Sequence, residues 1–261
     1  MASGSSPRRS PIAWFQHLIL VVAIGSFPIA ARAGPWTPDA GRGLTIVSVA
    51  LGPEGNGVRD WAKAETSLYI EQGLPGGAAL IFAPSVEARL GASPQFDPAA
   101  AGAHLLGIRT PRLQRGNFAL STQLSVLEGR VPGARGAVEM RRSLGMEARA
   151  LAGRSFSNQG FAALEMGLRH WTNATNELRL ETSVGWPASF QKPKGPQWLV
   201  QSFAEAPISA QGDVSNPLIR AQISLVLPVS NTISIQTGLR TTLVGKGWRD
   251  HAMVIGLWRR F

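Results

Sequence analysis

The chain has 261 residues, of which 44% are apolar and only 16% charged, with 29 Gly, 18 Pro and no Cys. The missing Cys removes disulfide frameworks, thiolate metal sites and a cysteine nucleophile together, and an apolar fraction near the soluble average argues against a polytopic helical membrane protein. The formal charge is +10, from 26 Lys plus Arg against 16 Asp plus Glu, but the bases are scattered among acids rather than gathered into tracts, so no nucleic-acid partner is expected.

Residues 1–33 read as an export signal. Arg8 and Arg9 supply the positive start, and Leu18 to Ala31 is apolar apart from Ser26. Ala31-Arg32-Ala33 then offers small residues at the two positions signal peptidase reads, placing cleavage after Ala33. An N-terminal membrane anchor is the alternative, but the apolar run is short for a span and Pro28 would break its helix. Loss of Arg8, Arg9 and Arg32 with the signal lowers the charge from +10 to +7. Residues 34–43 then lead into the folded region.

Beyond the lead-in no apolar stretch is long enough for a spanning helix, yet segment after segment alternates apolar and polar residues with period two. This predicts strands near 44–52, 63–73, 77–89, 103–109, 117–127, 137–150, 160–171, 176–187, 197–206, 217–227, 232–244 and 250–261. In the sixth, Glu139, Arg141, Ser143, Gly145, Glu147 and Arg149 alternate with Val138, Met140, Leu144, Met146 and Ala148, with Arg142 the one misfit. In the eighth, Glu177, Arg179, Glu181 and Ser183 alternate with Leu178, Leu180, Thr182 and Val184.

A soluble sandwich would alternate too, so three further features choose the solvent. The chain ends on a strand that carries Met253, Ile255, Leu257 and Phe261 on one face, with Arg259 the exception; this resembles the C-terminal sorting signature of bacterial outer-membrane β-barrels. Aromatic residues gather near strand ends, as two interfacial girdles require: Trp61, Trp171 and Trp248 at one end, and Phe118, Phe161, Trp186, Trp198, Trp258 and Phe261 at the other, although Phe82 and Phe203 fit less cleanly. An even strand number puts both termini at the periplasmic side, where 74–77 and 228–231 make tight turns, while 53–62, 90–102 and 207–216 become extracellular loops. Turns at 110–116 and 188–196 spoil a clean asymmetry. The fold class expected is all-β: a transmembrane antiparallel β-barrel of about 12 strands over 44–261, after a cleaved signal peptide and a periplasmic lead-in at 34–43. A closed barrel is the only all-strand structure that pairs every backbone polar group at membrane depth.

If the apolar faces meet lipid, the lumen is lined by Glu65, Glu71, Glu139, Arg141, Glu147, Arg149, Glu165, Arg169, Glu177, Arg179, Glu181, Glu205, Arg220 and Arg240, together with Tyr69, Gln201, Gln222 and Gln236. Both signs recur at spacing two, so neighbouring strands can build Glu and Arg ladders, to which the planar guanidinium fork is suited. Two readings stay open: charges that pair with one another and stiffen a filled barrel, or opposed charges that line a narrow aqueous path. Twelve strands lie between the filled eight-stranded barrel and the open sixteen-stranded one.

Chemistry beyond transport finds little support. His104, His170 and His251 all fall toward the extracellular rim, but Ser155 and Ser157 lie at the opposite end of the strand from His170, and Asp250 points to the opposite face from His251. No nucleophile, base and orienting acid converge, so the protein is not expected to be an enzyme. Three separated His make no metal site, and no cofactor is expected.

The lead-in Pro35-Trp36-Thr37-Pro38, the first hairpins, Gln201-Ser202-Phe203 and the ending Gly256-Leu257-Trp258-Arg259-Arg260-Phe261 resemble a family of proteobacterial outer-membrane barrels that includes transporters associated with the meta-cleavage pathway of phenol degradation. The resemblance implies a barrel in the outer membrane through which something passes, and no functional residue is carried over from it. The function expected is a channel or transporter for small molecules, with the Glu and Arg ladders setting selectivity. A closed structural or adhesive barrel and an outer-leaflet lipid-modifying enzyme are the alternatives. The partners expected are outer-membrane lipid and the general outer-membrane insertion machinery, which would read the C-terminal strand.

Overall fold

The computed structural model describes residues 35–53, 62–90, 103–132, 140–157, 159–189, 195–208, 214, 217–245 and 251–261. The stretch 1–33 read as an export signal, Trp61, Glu139 and Trp248 lie outside these residues, as do most of the three intervals read as extracellular loops. The strands are β1 (Gly43–Pro53), β2 (Ala62–Gly73), β3 (Ala79–Leu90), β4 (Ala103–Arg115), β5 (Phe118–Pro132), β6 (Met140–Ser155), β7 (Phe161–Trp171), β8 (Asn176–Pro187), β9 (Gln197–Ile208), β10 (Leu218–Pro228), β11 (Ile233–Val244) and β12 (His251–Arg260). Each pairs antiparallel with its sequence neighbours, and β1 pairs with β12 from Leu44↔Arg260 to Leu51↔Met253, which closes the sheet into a barrel without free edges.

Alternation along each strand sorts the side chains by face. Leu124, Leu144, Met146, Met166, Leu239, Met253, Ile255 and Leu257 stand exposed on the outside, while Ser121, Gln123, Ser125, Ser143, Glu147, Ser224 and Gln236 are buried within. The distribution is inverted relative to a water-soluble barrel. Leu124 is 66% exposed and Met146 62%, and a continuous apolar belt of this kind is stable only against hydrocarbon. The fold is that of a bacterial outer-membrane β-barrel.

The twelve strands lie where expected, but three run several residues further: β5 continues past 127 to Pro132, β6 past 150 to Ser155, and the fourth past 109. The stretch 110–116 is not a turn: β4 runs on to Arg115 and meets β5 across the two-residue turn Gly116-Asn117. Gly116 has φ +58°, a left-handed conformation that glycine adopts without steric cost in tight hairpin turns. Pro111 and two arginines gave the segment a loop-like composition. The ladder absorbs the proline through a register shift between Pro111 and Leu113, and Arg112 stays tied to the sheet by donating to Thr122 Oγ1 at 2.9 Å. The end that holds Gly43 and Phe261 therefore carries mostly short connections: 74–78, which includes one 3-10 turn at Pro75–Gly77, then 116–117, 156–160 and 229–232.

The lead-in does not trail away from the barrel. Pro35, Trp36 and Thr37 are buried, and Trp36 packs in an apolar cluster with the inward-facing Ala119, Phe161, Leu199 and Val226, with Trp258 beside it. Gly153 on β6 leaves room for this; a Cβ there would collide with the rings of Pro35 and Trp36. The segment then rises to β1 beside Gly73, with Gly41 N donating to Gly73 O at 3.1 Å.

Candidate functional site

The candidate site is the inner wall, where strand register brings the charged residues into three groups. The largest spans β6 to β9. The Glu147 side chain is fully buried and takes Arg149 on one oxygen, while its other oxygen takes Arg169 at 2.8 Å and Arg179 at 3.5 Å. Arg149 also reaches Glu165 at 3.1 Å and Glu181 at 3.2 Å, and Arg169 reaches Glu177 at 3.4 Å. Arg179 completes the group on Glu205 at 2.6 Å and Glu181 at 3.3 Å. Five carboxylates and three guanidinium groups are thereby held in fixed positions, since each arginine bonds two or three acceptors at once.

A second group sits on β2, β4 and β5. Arg109 bonds Glu71 at 2.9 Å, the Gln123 amide oxygen at 3.1 and 3.3 Å, and the Tyr69 hydroxyl at 3.3 Å. Tyr69 in turn donates to Glu71 at 3.1 Å, and Gln123 to Ser125 at 3.0 Å. The third group lies around the closing seam. Arg240 on β11 reaches over β12 and β1 to Glu65 on β2 at 2.8 Å, passing the small buried side chains Ala50, Ala252 and Val254. Lys63 bonds Glu87 at 2.9 Å. A neutral belt joins the seam to the rest: Trp258 Nε1 donates to Gln236 Oε1 at 2.9 Å, Gln236 and Gln222 both donate to Ser224, and Gln222 donates to Gln201.

The sequence-predicted lining residues Glu65, Glu71, Glu147, Arg149, Glu165, Arg169, Glu177, Arg179, Glu181, Glu205, Arg220 and Arg240 thus share the inner face. Arg141 lies on β6, where only its backbone is described, and Glu139 falls outside the described residues. Arg109, Gln123, Lys63 and Glu87 belong to the wall as well but escaped sequence reading. Arg109 is the last residue of the expected fourth strand, which the structure extends to Arg115; Lys63, two residues before Glu65, shares its parity. Arg142, the misfit of its strand, points outward, is 81% exposed and pairs with Glu128 on the neighbouring strand.

The aromatic assignments need correction. Trp186 and Trp198 are cross-strand partners on the outer face near the terminal end, and Phe118 and Phe261 stand exposed at that same end. Trp171 and Trp258 are not interfacial. Trp171 is buried in an interior cluster with Ala79, Ile81, Leu105 and Leu127, its ring 5.5 Å from the Arg169 guanidinium. Trp258 faces Gln236, and Phe161 packs with Trp36. Their sequence parity already assigned them inward, Trp171 with Arg169 and Trp258 opposite Leu257; position at a strand end was the weaker guide. The histidines stand on the outer face at the far end, with His170 Nδ1 2.7 Å from Asn176 Oδ1 and His251 Nδ1 2.8 Å from Thr241 Oγ1. Among the described residues no group of His, Asp and Glu is arranged to hold a metal ion.

No protein-family model matches the chain, and no curated protein does. Solved structures with the same architecture do match. The COG4313 outer-membrane channel of Pseudomonas putida F1 superposes with a TM-score of 0.64 at 9% identity, covering 89% of this chain and 100% of that one. The NanC porin gives 0.54 at 9% identity, over 82% and 98% of the two chains. The KdgM porin gives 0.50 at 9%, over 83% and 99%. At such identities the likeness establishes the barrel fold, and the side chains inside must speak for themselves.

Proposed function

We propose that the protein is an outer-membrane channel for small polar solutes, whose arginine and glutamate wall fixes the shape and charge of the path. The observation that carries this is the salt-bridged group around Glu147, which holds both signs of charge rigidly on the inner face of a closed barrel with an apolar exterior. Rings of fixed charge are what selective pores use, and opposed charges favour transit over tight retention. The channels and porins among the similar structures, and the resemblance to transporters associated with phenol meta-cleavage, point the same way. In this reading the apolar belt meets outer-membrane lipid, the short connections face the periplasm, and the C-terminal strand is what the insertion machinery reads. Refolding the protein in detergent, confirming the heat-dependent gel shift of a folded barrel and recording conductance in a planar bilayer tests the proposal. Steady salt-dependent steps are expected, with ion selectivity altered in Arg179→Ala and Arg240→Ala.

A second reading, a closed structural barrel, draws on the Trp36 layer at the terminal mouth. A folded, heat-modifiable protein that never conducts would establish it in place of the channel. Under that reading the same two substitutions lower thermal stability and change nothing else.

A further inference from the structure

Among the described cations of the inner wall, Arg109, Arg149, Arg169, Arg179, Arg240 and Lys63 each form at least one ion pair. Arg220 on β10 is different. It makes no hydrogen bond or ion pair with any described residue; its Nε is buried without a partner, as is that of Arg179, but the terminal nitrogens of Arg179 are paired and those of Arg220 are not. Glu65 and Glu205 lie within reach of its field, but Arg240 and Arg179 already bond them.

A second buried orphan stands next to it. Thr242 on β11 is the cross-strand partner of Arg220, and its hydroxyl is also without a hydrogen bond. The register between β10 and β11 shifts at Ile219/Arg220, a bulge of the kind that re-aims a side chain. On the other side the cross-strand partner is Phe203 of β9, whose parity puts it on the inward face with Arg220. Buried polar groups are nearly always satisfied, and two adjacent donors left without acceptors call for an acceptor that is not part of the described wall.

We propose that Arg220, Thr242 and Phe203 form a binding step in the lumen for a small organic carboxylate. The guanidinium takes the carboxylate oxygens through its planar fork, the Thr242 hydroxyl donates a further hydrogen bond, and Phe203 packs on the apolar part of the solute. A carboxylate fits better than a bare inorganic anion because one side of the site is a ring. Glu65 and Glu205 oppose the bound charge from nearby, which keeps the step weak enough for release. This deepens the channel reading by giving the class of solute.

Binding can be read without conduction. Fluorine NMR of 4-fluorobenzoate, titrated with the refolded full chain in detergent, detects weak association through line broadening. Saturable broadening by the native protein is expected, with affinity reduced about ten-fold or more in Arg220→Gln, as for loss of a charge-assisted hydrogen bond. Thr242→Val should weaken it several-fold, and Phe203→Leu should weaken 4-fluorobenzoate more than trifluoroacetate. Folded native protein that causes no broadening overturns the proposal, as does equal binding by Arg220→Gln. Should that variant not refold, Thr242→Val decides, and unchanged affinity there also overturns it. Planar-bilayer recording separates the two ideas: binding without conductance sinks the channel alone, and conductance without binding sinks the carboxylate site alone.

Discussion

Glu147 carries the tightest demand of any single residue in the wall. Its side chain is fully buried and answers three arginines, so removing it takes one carboxylate at once from Arg149, Arg169 and Arg179, and leaves Arg169 with Glu177 alone. Breaking a buried pair from one side costs about 3–5 kcal/mol, because the remaining charge stays desolvated. Because the three arginines keep other carboxylates, Glu147→Ala should lower the unfolding free energy from urea titration of the refolded barrel by about 3 kcal/mol, the lower end of that range. Glu177→Ala, which frees only one contact of Arg169 from a more exposed position, should cost at most about 1 kcal/mol by the same assay. Equal losses in the two variants would mean that the group does not act through burial of charge.

The lead-in and the strand it crosses make the element of interest. The segment 35–37 occupies the terminal mouth only because Gly153 presents no side chain there, a close approach rather than a special backbone angle. Gly153→Leu should displace the segment while leaving the β5–β6 and β6–β7 ladders intact, and single-channel conductance should rise. Trp36→Ala should do the same by removing the ring from the cluster with Phe161 and Leu199. Unchanged conductance in both variants, with the Trp36 environment of the first altered by fluorescence, would show that the segment does not limit flow. Nothing in the sequence of 34–43 signalled an inward path. A short run with two prolines reads as a linker, and the surface that receives it is assembled from five other strands.

At the scale of the whole molecule the decisive feature is the outer belt. Leu124 lies midway along β5 and is 66% exposed. Leu124→Arg should destabilise the barrel by about 2–4 kcal/mol in bilayers, the cost of an arginine at the midplane. The same change on the exposed surface of a water-soluble protein falls within about 0.5 kcal/mol of zero. Unfolding titrations in lipid vesicles discriminate between them. Arg142 shows how the fold tolerates such a charge when it sits near a strand end beside Glu128, outside the middle of the belt.

Period-two alternation is a local property, and it determined the strands and their two faces; the closed barrel needed the terminal strand, the even strand number and the aromatic placement besides. Which side of the sheet a residue faces depends only on its neighbours in sequence, and so twelve strands and most of the charged lining were legible from the chain. Partner choice was not. Glu65 and Arg240 are 175 residues apart and meet only because β1 closes on β12. Glu147 collects arginines from its own strand and from β7 and β8 because register sets them side by side. The inward course of Pro35–Thr37 and the isolation of Arg220 likewise depend on how far side chains reach across several strands. Parity gives the face, whereas strand stagger and side-chain length decide the contact, and those exist only once the barrel is closed.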